Sequence, residues 1–168
     1  MDLAVTGGEG PWGRIETLHG ERDLERWLSL CSLAVDVVAT PDDVEEAKRL
    51  RRSIWNSAEA VVDGGSPSAA DVAGINEAAA RPPLVPALEG GVRVWHAPRF
   101  EQALSDVARD AIALLSDPGQ QARLRRCSSP DCELIFYDAS RPGRRRWCST
   151  ERCGDRMRAR AYRARHRA

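Results

Sequence analysis

Cys127-Ser-Ser-Pro-Asp-Cys132, then fifteen residues, then Cys148-Ser-Thr-Glu-Arg-Cys153, is the stretch that decides how the carboxyl-terminal part of this chain folds. Four of the five cysteines fall within these 27 residues, as two C-x4-C pairs of equal spacing. In a reducing compartment such pairs are metal ligands far more often than disulfides, which are the alternative together with free thiols. Four thiolates give a soft tetrahedral shell with no position open for water, so the expected cofactor is a structural Zn2+ held by Cys127, Cys132, Cys148 and Cys153. Pro130 is expected to bend the first knuckle around the ion. Glu133-Leu-Ile-Phe-Tyr-Asp138 reads as a strand rich in β-formers, and Ser140-Arg-Pro-Gly143 as a turn. The segment from Arg144 to Cys148 is then expected to return as the second strand. Ser149 can cap a helix starting near Thr150, with Cys153 in its first turn. A knuckle, a hairpin and a ligand-bearing helix make a treble-clef-like arrangement, too short for a strong core and therefore in need of a metal cross-link.

Charge sets the same region apart. The chain of 168 residues has no formal net charge, yet from Gly119 onward it carries 14 arginines against five carboxylates, a surplus of nine. Met1 to Pro118 carries the matching deficit of nine. Such asymmetry suggests a basic module for an acidic partner joined to an acidic body. On a helix of 3.6 residues per turn, Arg156, Arg160, Arg163 and Arg167 form one stripe, and Arg144, Arg145 and Arg146 precede the second cysteine pair. These seven are the candidate nucleic-acid contacts. A four-thiolate zinc site has two net negative charges, which leaves about +7 on the module. Met157, Ala161 and Ala164 make an adjacent apolar strip that suits packing on the hairpin.

Upstream the pattern is helical. Helices are expected over about 21–33, from Thr40 to Gly64-Gly65, over 68–80 and over 99–115. The second is clearest, because Thr40 can cap it, Pro41 suits its first position and Asp42-Asp43 favour its positive end. A short hairpin is expected between Leu84 and Trp95, with Pro86 on an edge strand. Met1 to Gly13 is glycine-rich without periodicity and reads as a loose arm. Cys31 reads as a small buried hydrophobe, and no histidine as a ligand. The fold class is thus mainly α: a helical bundle with a small β-hairpin over 14–118, then a treble-clef-like zinc module over 119–168. The longest apolar run, near Leu28 to Ala39, is broken by Ser29, Ser32 and Asp36, and the first residues show no secretory pattern, so a cytoplasmic protein is expected.

Arg123-Leu124-Arg125-Arg126-Cys127, Cys132, Phe136, Asp138-Ala-Ser-Arg141, Arg145-Arg146-Trp147-Cys148-Ser149 and Cys153-Gly154-Asp155-Arg156 together resemble the CGNR-type zinc finger. In that family the finger follows a helical ABATE domain, whose first helix Asp23-Leu24 and Trp27-Leu28 resemble, in proteins regarded as stress-induced transcription regulators of bacteria. Asp155 stands where the family has Asn; a carboxylate there suits bracing of the knuckle better than contact with phosphate. The resemblance implies regulation of transcription by binding duplex DNA, with the helical domain as sensor or regulatory body. The residues alone leave open RNA binding, or a zinc-stabilised module for a protein partner. They also allow contact between the acidic body and the basic module. No phosphate loop, nucleophile elbow or carboxylate pair suggests an enzyme, and the oligomeric state is not encoded in any motif.

Overall fold

Thr40 adopts extended backbone, its Oγ1 accepts from the Asp43 amide, and the Asp43 carboxylate accepts from the Thr40 amide at 2.8 Å. This reciprocal cap, with Pro41 at the first position, starts the longest helix of the computed structural model, which describes residues 2–8 and 15–166. The helix, α2 (Pro41–Val62), buries Val44, Ala47, Leu50, Ile54 and Ala58 along one stripe. Around it pack α1 (Glu21–Leu30), α3 (Ala69–Ala79) and α4 (Phe100–Ser116). Leu24, Leu28, Ile75, Phe100, Leu104 and Ala108 complete the core from these helices. β1 (Pro86–Glu89) and β2 (Val92–Trp95) form an antiparallel hairpin, with Pro86 opposite Trp95. The Trp95 indole anchors it by donating to the Leu33 carbonyl at 2.8 Å.

The amino-terminal residues are not a loose arm where the structure describes them. Leu3–Val5 form a 3-10 turn, and Leu3 and Ala4 are buried in the main core. The sequence lacks helical periodicity there because three residues cannot show a period. Residue 1 and residues 9–13 of the expected arm lie outside the described residues. Gly7, at φ +148°, passes so close to Glu16 that a Cβ would stand 2.6 Å from the Glu16 Cα. The close approach brings Glu16 against Arg51 of α2, whose guanidinium donates to both carboxylate oxygens at 2.7 and 2.6 Å and to Thr6 Oγ1 at 3.2 Å. Burial raises the Glu16 carboxyl, but Arg51 and the Leu18 and Thr17 amides outweigh it and hold the group below the usual carboxylate range.

Replacing Glu16 with Gln would leave the buried Arg51 charge uncompensated, and should destabilise the body by about 3 kcal/mol in denaturant titrations at neutral pH. The ionised carboxylate stabilises fully above its unfolded value of about 4.3, and this contribution is lost as pH falls through the lower folded value. The gap between native protein and E16Q should therefore narrow in acid.

Other expectations shift in detail. On α3 the inner side is Ile75, Ala78 and Ala79, and Val72 is exposed. Cys31 is half-buried, not enclosed, because α1 ends at Leu30 and the Cys31 amide closes the last turn onto the Trp27 carbonyl. Asp117-Pro118-Gly119 lies where the two expected parts meet. Asp117 accepts from the Gly119 and Gln120 amides and caps a short helix, α5 (Pro118–Gln121).

The chain continues into β3 (Leu124–Arg126), which pairs antiparallel with β4 (Ile135–Tyr137). This corrects the expected hairpin: the partner of the Ile135 strand is Leu124–Arg126, and 144–148 is not a strand. Apolar alternation favours the observed pairing, because Leu124 and Ile135 bury a second small core with Ala58, flanked by Trp55, Val61, Val62, Leu114 and Leu115. Arg126 adds ion pairs to Glu59 at 3.3 Å and Asp63 at 2.8 Å on α2. Among the described residues, no helix is long and apolar enough to cross a membrane.

Candidate metal centre

After β3 the backbone folds tightly. The Cys127 amide donates to the Leu134 carbonyl at 2.8 Å, and the Cys132 amide to the Ser129 carbonyl at 2.9 Å, closing the first knuckle. The second begins at Ser149, whose Oγ accepts from the Arg152 amide and caps a π-helical turn, Thr150–Gly154. The wide turn places Cys153 inward before α6 (Asp155–Arg165) begins. A Cβ at Gly154 would press on the Trp147 ring at 3.3 Å, which would have to give by a few tenths of an ångström.

These knuckles bring Cys127, Cys132, Cys148 and Cys153 together, with all four sulfurs within 4.8 Å of one another. The Sγ of Cys148 lies 3.8 Å from that of Cys132 and 3.6 Å from that of Cys153. A tetrahedral zinc at ~2.3 Å from each sulfur requires sulfur separations of roughly 3.8 Å, whereas a disulfide requires ~2.05 Å. The donor set fits a structural Zn2+, and all five cysteines are free thiols. Cys127 and Cys153 are buried, Cys132 and Cys148 half-buried, with Phe136 and Trp147 packed around them. Burial pushes the Cys132 and Cys148 thiols up. At Cys127 the opposite wins: burial is outweighed by the Cys148 and Ser129 amides and the neighbouring sulfurs. Zinc, when bound, would supply the positive charge that lets four adjacent thiolates coexist and would cross-link the two knuckles.

A carboxylate expected only as the end of a strand organises the approach to Cys148. Asp138 is fully buried; its Oδ1 accepts from the Ser140 amide at 3.0 Å and hydroxyl at 2.6 Å, and its Oδ2 from the Arg145 amide at 2.7 Å. Burial alone would raise its carboxyl, yet these donors hold it below the usual range. The Asp-x-Ser spacing of an Asx-type turn was the available signal. The carboxylate also explains why 144–148 makes no strand, because the Arg145 amide is spent on it. Asp138→Ala should speed zinc transfer to a chromogenic chelator by on the order of tenfold, as loss of a supporting hydrogen-bond shell does at metal sites.

The candidate arginines have different partners. Arg145 donates to the Cys148 carbonyl at 2.8 Å and lies over the Phe136 ring, and Arg146 lies over Trp147. Arg144 is exposed. On α6, Arg156 and Arg163 are exposed, Arg160 pairs with Asp131, and Arg167 lies outside the described residues. At 100° per residue Arg152 falls about 40° from Arg156 and extends the expected stripe; it joins Arg156 in lining a cleft of about 630 Å³ with Pro130, Asp131 and Cys132. Asp155 pairs with Arg158 along the helix instead of bracing a knuckle. Of the expected apolar strip, Met157 is half-buried while Ala161 and Ala164 are exposed, so little of α6 is covered.

The ABATE family model, described as "Putative stress-induced transcription regulator", matches residues 1–118. The CGNR zinc finger model matches residues 123–166. No curated protein matches the chain.

Proposed function

Since the chain belongs to the ABATE family and ends in a CGNR zinc finger, we propose that it regulates transcription by binding duplex DNA through the finger and α6. The observation that carries this reading is α6 itself. Its described residues include Arg156, Arg158, Arg160, Arg163 and Arg165, and none of its side chains is buried. A polar helix with no apolar face to bury gains nothing from packing, so its role lies in what it meets. Arg152, Arg156 and Arg163, with Arg144 before the second knuckle, offer cations to phosphate oxygens. The zinc site contributes by fixing the start of the helix.

The helical body holds the finger by the apolar contact of Ala58 with Leu124 and Ile135, and by Arg126 against Glu59 and Asp63. It is the part suited to act as the regulatory body, without catalysing a reaction. Phosphate contact requires affinity to fall linearly with salt on logarithmic axes, by about −0.9 per phosphate neutralised. For three or four contacts the full-length zinc protein should show a slope near −3 on duplex DNA; a flat response would reject the reading.

A second reading, binding of unpaired strands, is favoured by one feature. Tyr162 is 57% exposed on α6 and stacks on His166 with ring centroids 4.0 Å apart. Exposed aromatic rings among arginines suit stacking of bases. Tighter binding to single-stranded RNA or DNA than to duplex of equal length would select it.

A further inference from the structure

Two carboxylates of the finger already hold arginines of α6. Asp131, in the first knuckle, pairs with Arg160, although 29 residues separate them in sequence. Asp155 pairs with Arg158 one turn away on the same helix. The two arginines differ in position. At 100° per residue Arg160 lies about 40° from Arg156 and about 60° from Arg163, whereas Arg158 lies about 160° from Arg156. Asp131 also lines the cleft that contains Arg152 and Arg156.

We propose that Asp131 is an internal competitor for phosphate: it offers Arg160 a carboxylate at the edge of the surface where a nucleic-acid backbone would place a phosphate oxygen. The proposal rests on the nucleic-acid reading above and adds to it the residue that limits the affinity of that surface. Both pairing partners are about half exposed, with side-chain accessibilities of 42% for Arg160 and 48% for Asp131, so the pair is open to exchange with an incoming anion. Surface pairs of this kind are weak enough to be broken, and a phosphate offers Arg160 an equivalent bidentate acceptor. Nucleic acid must displace Asp131 before Arg160 contributes, so affinity is held below what the arginines could deliver. The cross-link also ties α6 to the first knuckle in the free protein, keeping the helix in place before binding.

The test is a double-mutant cycle in the full-length zinc protein on one duplex DNA, with affinity measured across a salt series. Asp131→Asn should tighten binding by roughly three- to eightfold at ~0.1 M salt and steepen the logarithmic slope by about 0.9, as one more phosphate contact requires. In an Arg160→Gln background the same substitution should give no gain. Asp155→Asn makes the same change of net charge but frees an arginine on the far side, and should give a markedly smaller gain. Equal gains from D131N and D155N, or a gain from D131N that survives R160Q, would overturn the proposal and leave only a general charge effect. Binding by the native protein that D131N leaves unchanged would overturn it too, with the nucleic-acid reading intact. Absence of binding by native protein and variants alike would overturn that reading and this inference together.

Discussion

Removing the metal with a strong chelator, or replacing Cys132 with Ser, unfolds the segment from Cys127 through α6 while α1 to α4 keep their helical signal. The expectation follows from what the segment buries. From Cys127 onward the buried apolar side chains of the described residues are Cys127, Ile135, Phe136 and Cys153, with Cys132, Trp147 and Cys148 partly covered, and α6 buries nothing. Apolar area on that scale does not offset the conformational entropy of some forty ordered residues at ~1.5 kcal/mol each. The free energy of zinc binding, which the unfolded chain does not collect, adds to the folded segment and is lost on chelation. The body does not share the dependence, since its core runs from Leu3 through α2, α3 and α4 without touching a metal ligand. Hydrogen exchange on the full chain would read both parts at once. Amides of Cys127, Cys132, Arg145 and Cys153 should lose protection by at least about a hundredfold on chelation, and amides within α2 should keep theirs. Unchanged protection around the knuckles after verified metal loss would mean that side-chain packing alone holds the finger.

Reversing Arg156 and Arg163 together to Glu should weaken duplex DNA binding by about a hundredfold at ~0.1 M salt and make the logarithmic slope shallower by about 1.8. Each substitution removes a phosphate contact and adds repulsion. Both side chains are exposed and neither is held by a carboxylate among the described residues, but Arg156 reaches the Cys153 sulfur at 4.0 Å, so the variant is compared at equal zinc content and helical signal. Reversal of Arg22 and Arg26, exposed on α1 of the body, is the matched control and should leave affinity within about twofold. Equal losses from the two pairs would show that only net charge matters, and that α6 is not the contact surface.

What could be seen in advance follows the range of the interactions involved. α2 was legible from Thr40-Pro41-Asp42-Asp43 because a helix cap is written within four residues. The thiol cluster was legible because metal geometry restricts the spacing of its ligands. The hairpin of the finger was misassigned at its partner strand, since pairing with Leu124–Arg126 depends on a core completed by Ala58, more than sixty residues earlier. Asp138 was passed over as the end of a strand, because its donors arrive from the far side of a turn. Leu3 and Ala4 were left in a loose arm because only the packed helices create the groove that takes them. The arginine stripe follows from positions along one helix, which carry no sign that Asp131, from the first knuckle, already holds Arg160. In each case the error lies where tertiary packing, not local pattern, decides a residue's partner.

Zinc-built structure and nucleic-acid contact meet in one measurement: affinity of the full-length protein for duplex DNA at ~0.1 M salt, before chelation, after chelation and after zinc is restored. The account predicts loss of binding by at least about a hundredfold on metal removal and recovery to the starting value on zinc return, because the four thiolates fix the position from which α6 presents its arginines. Undiminished affinity in protein shown by metal analysis to be zinc-free would contradict it.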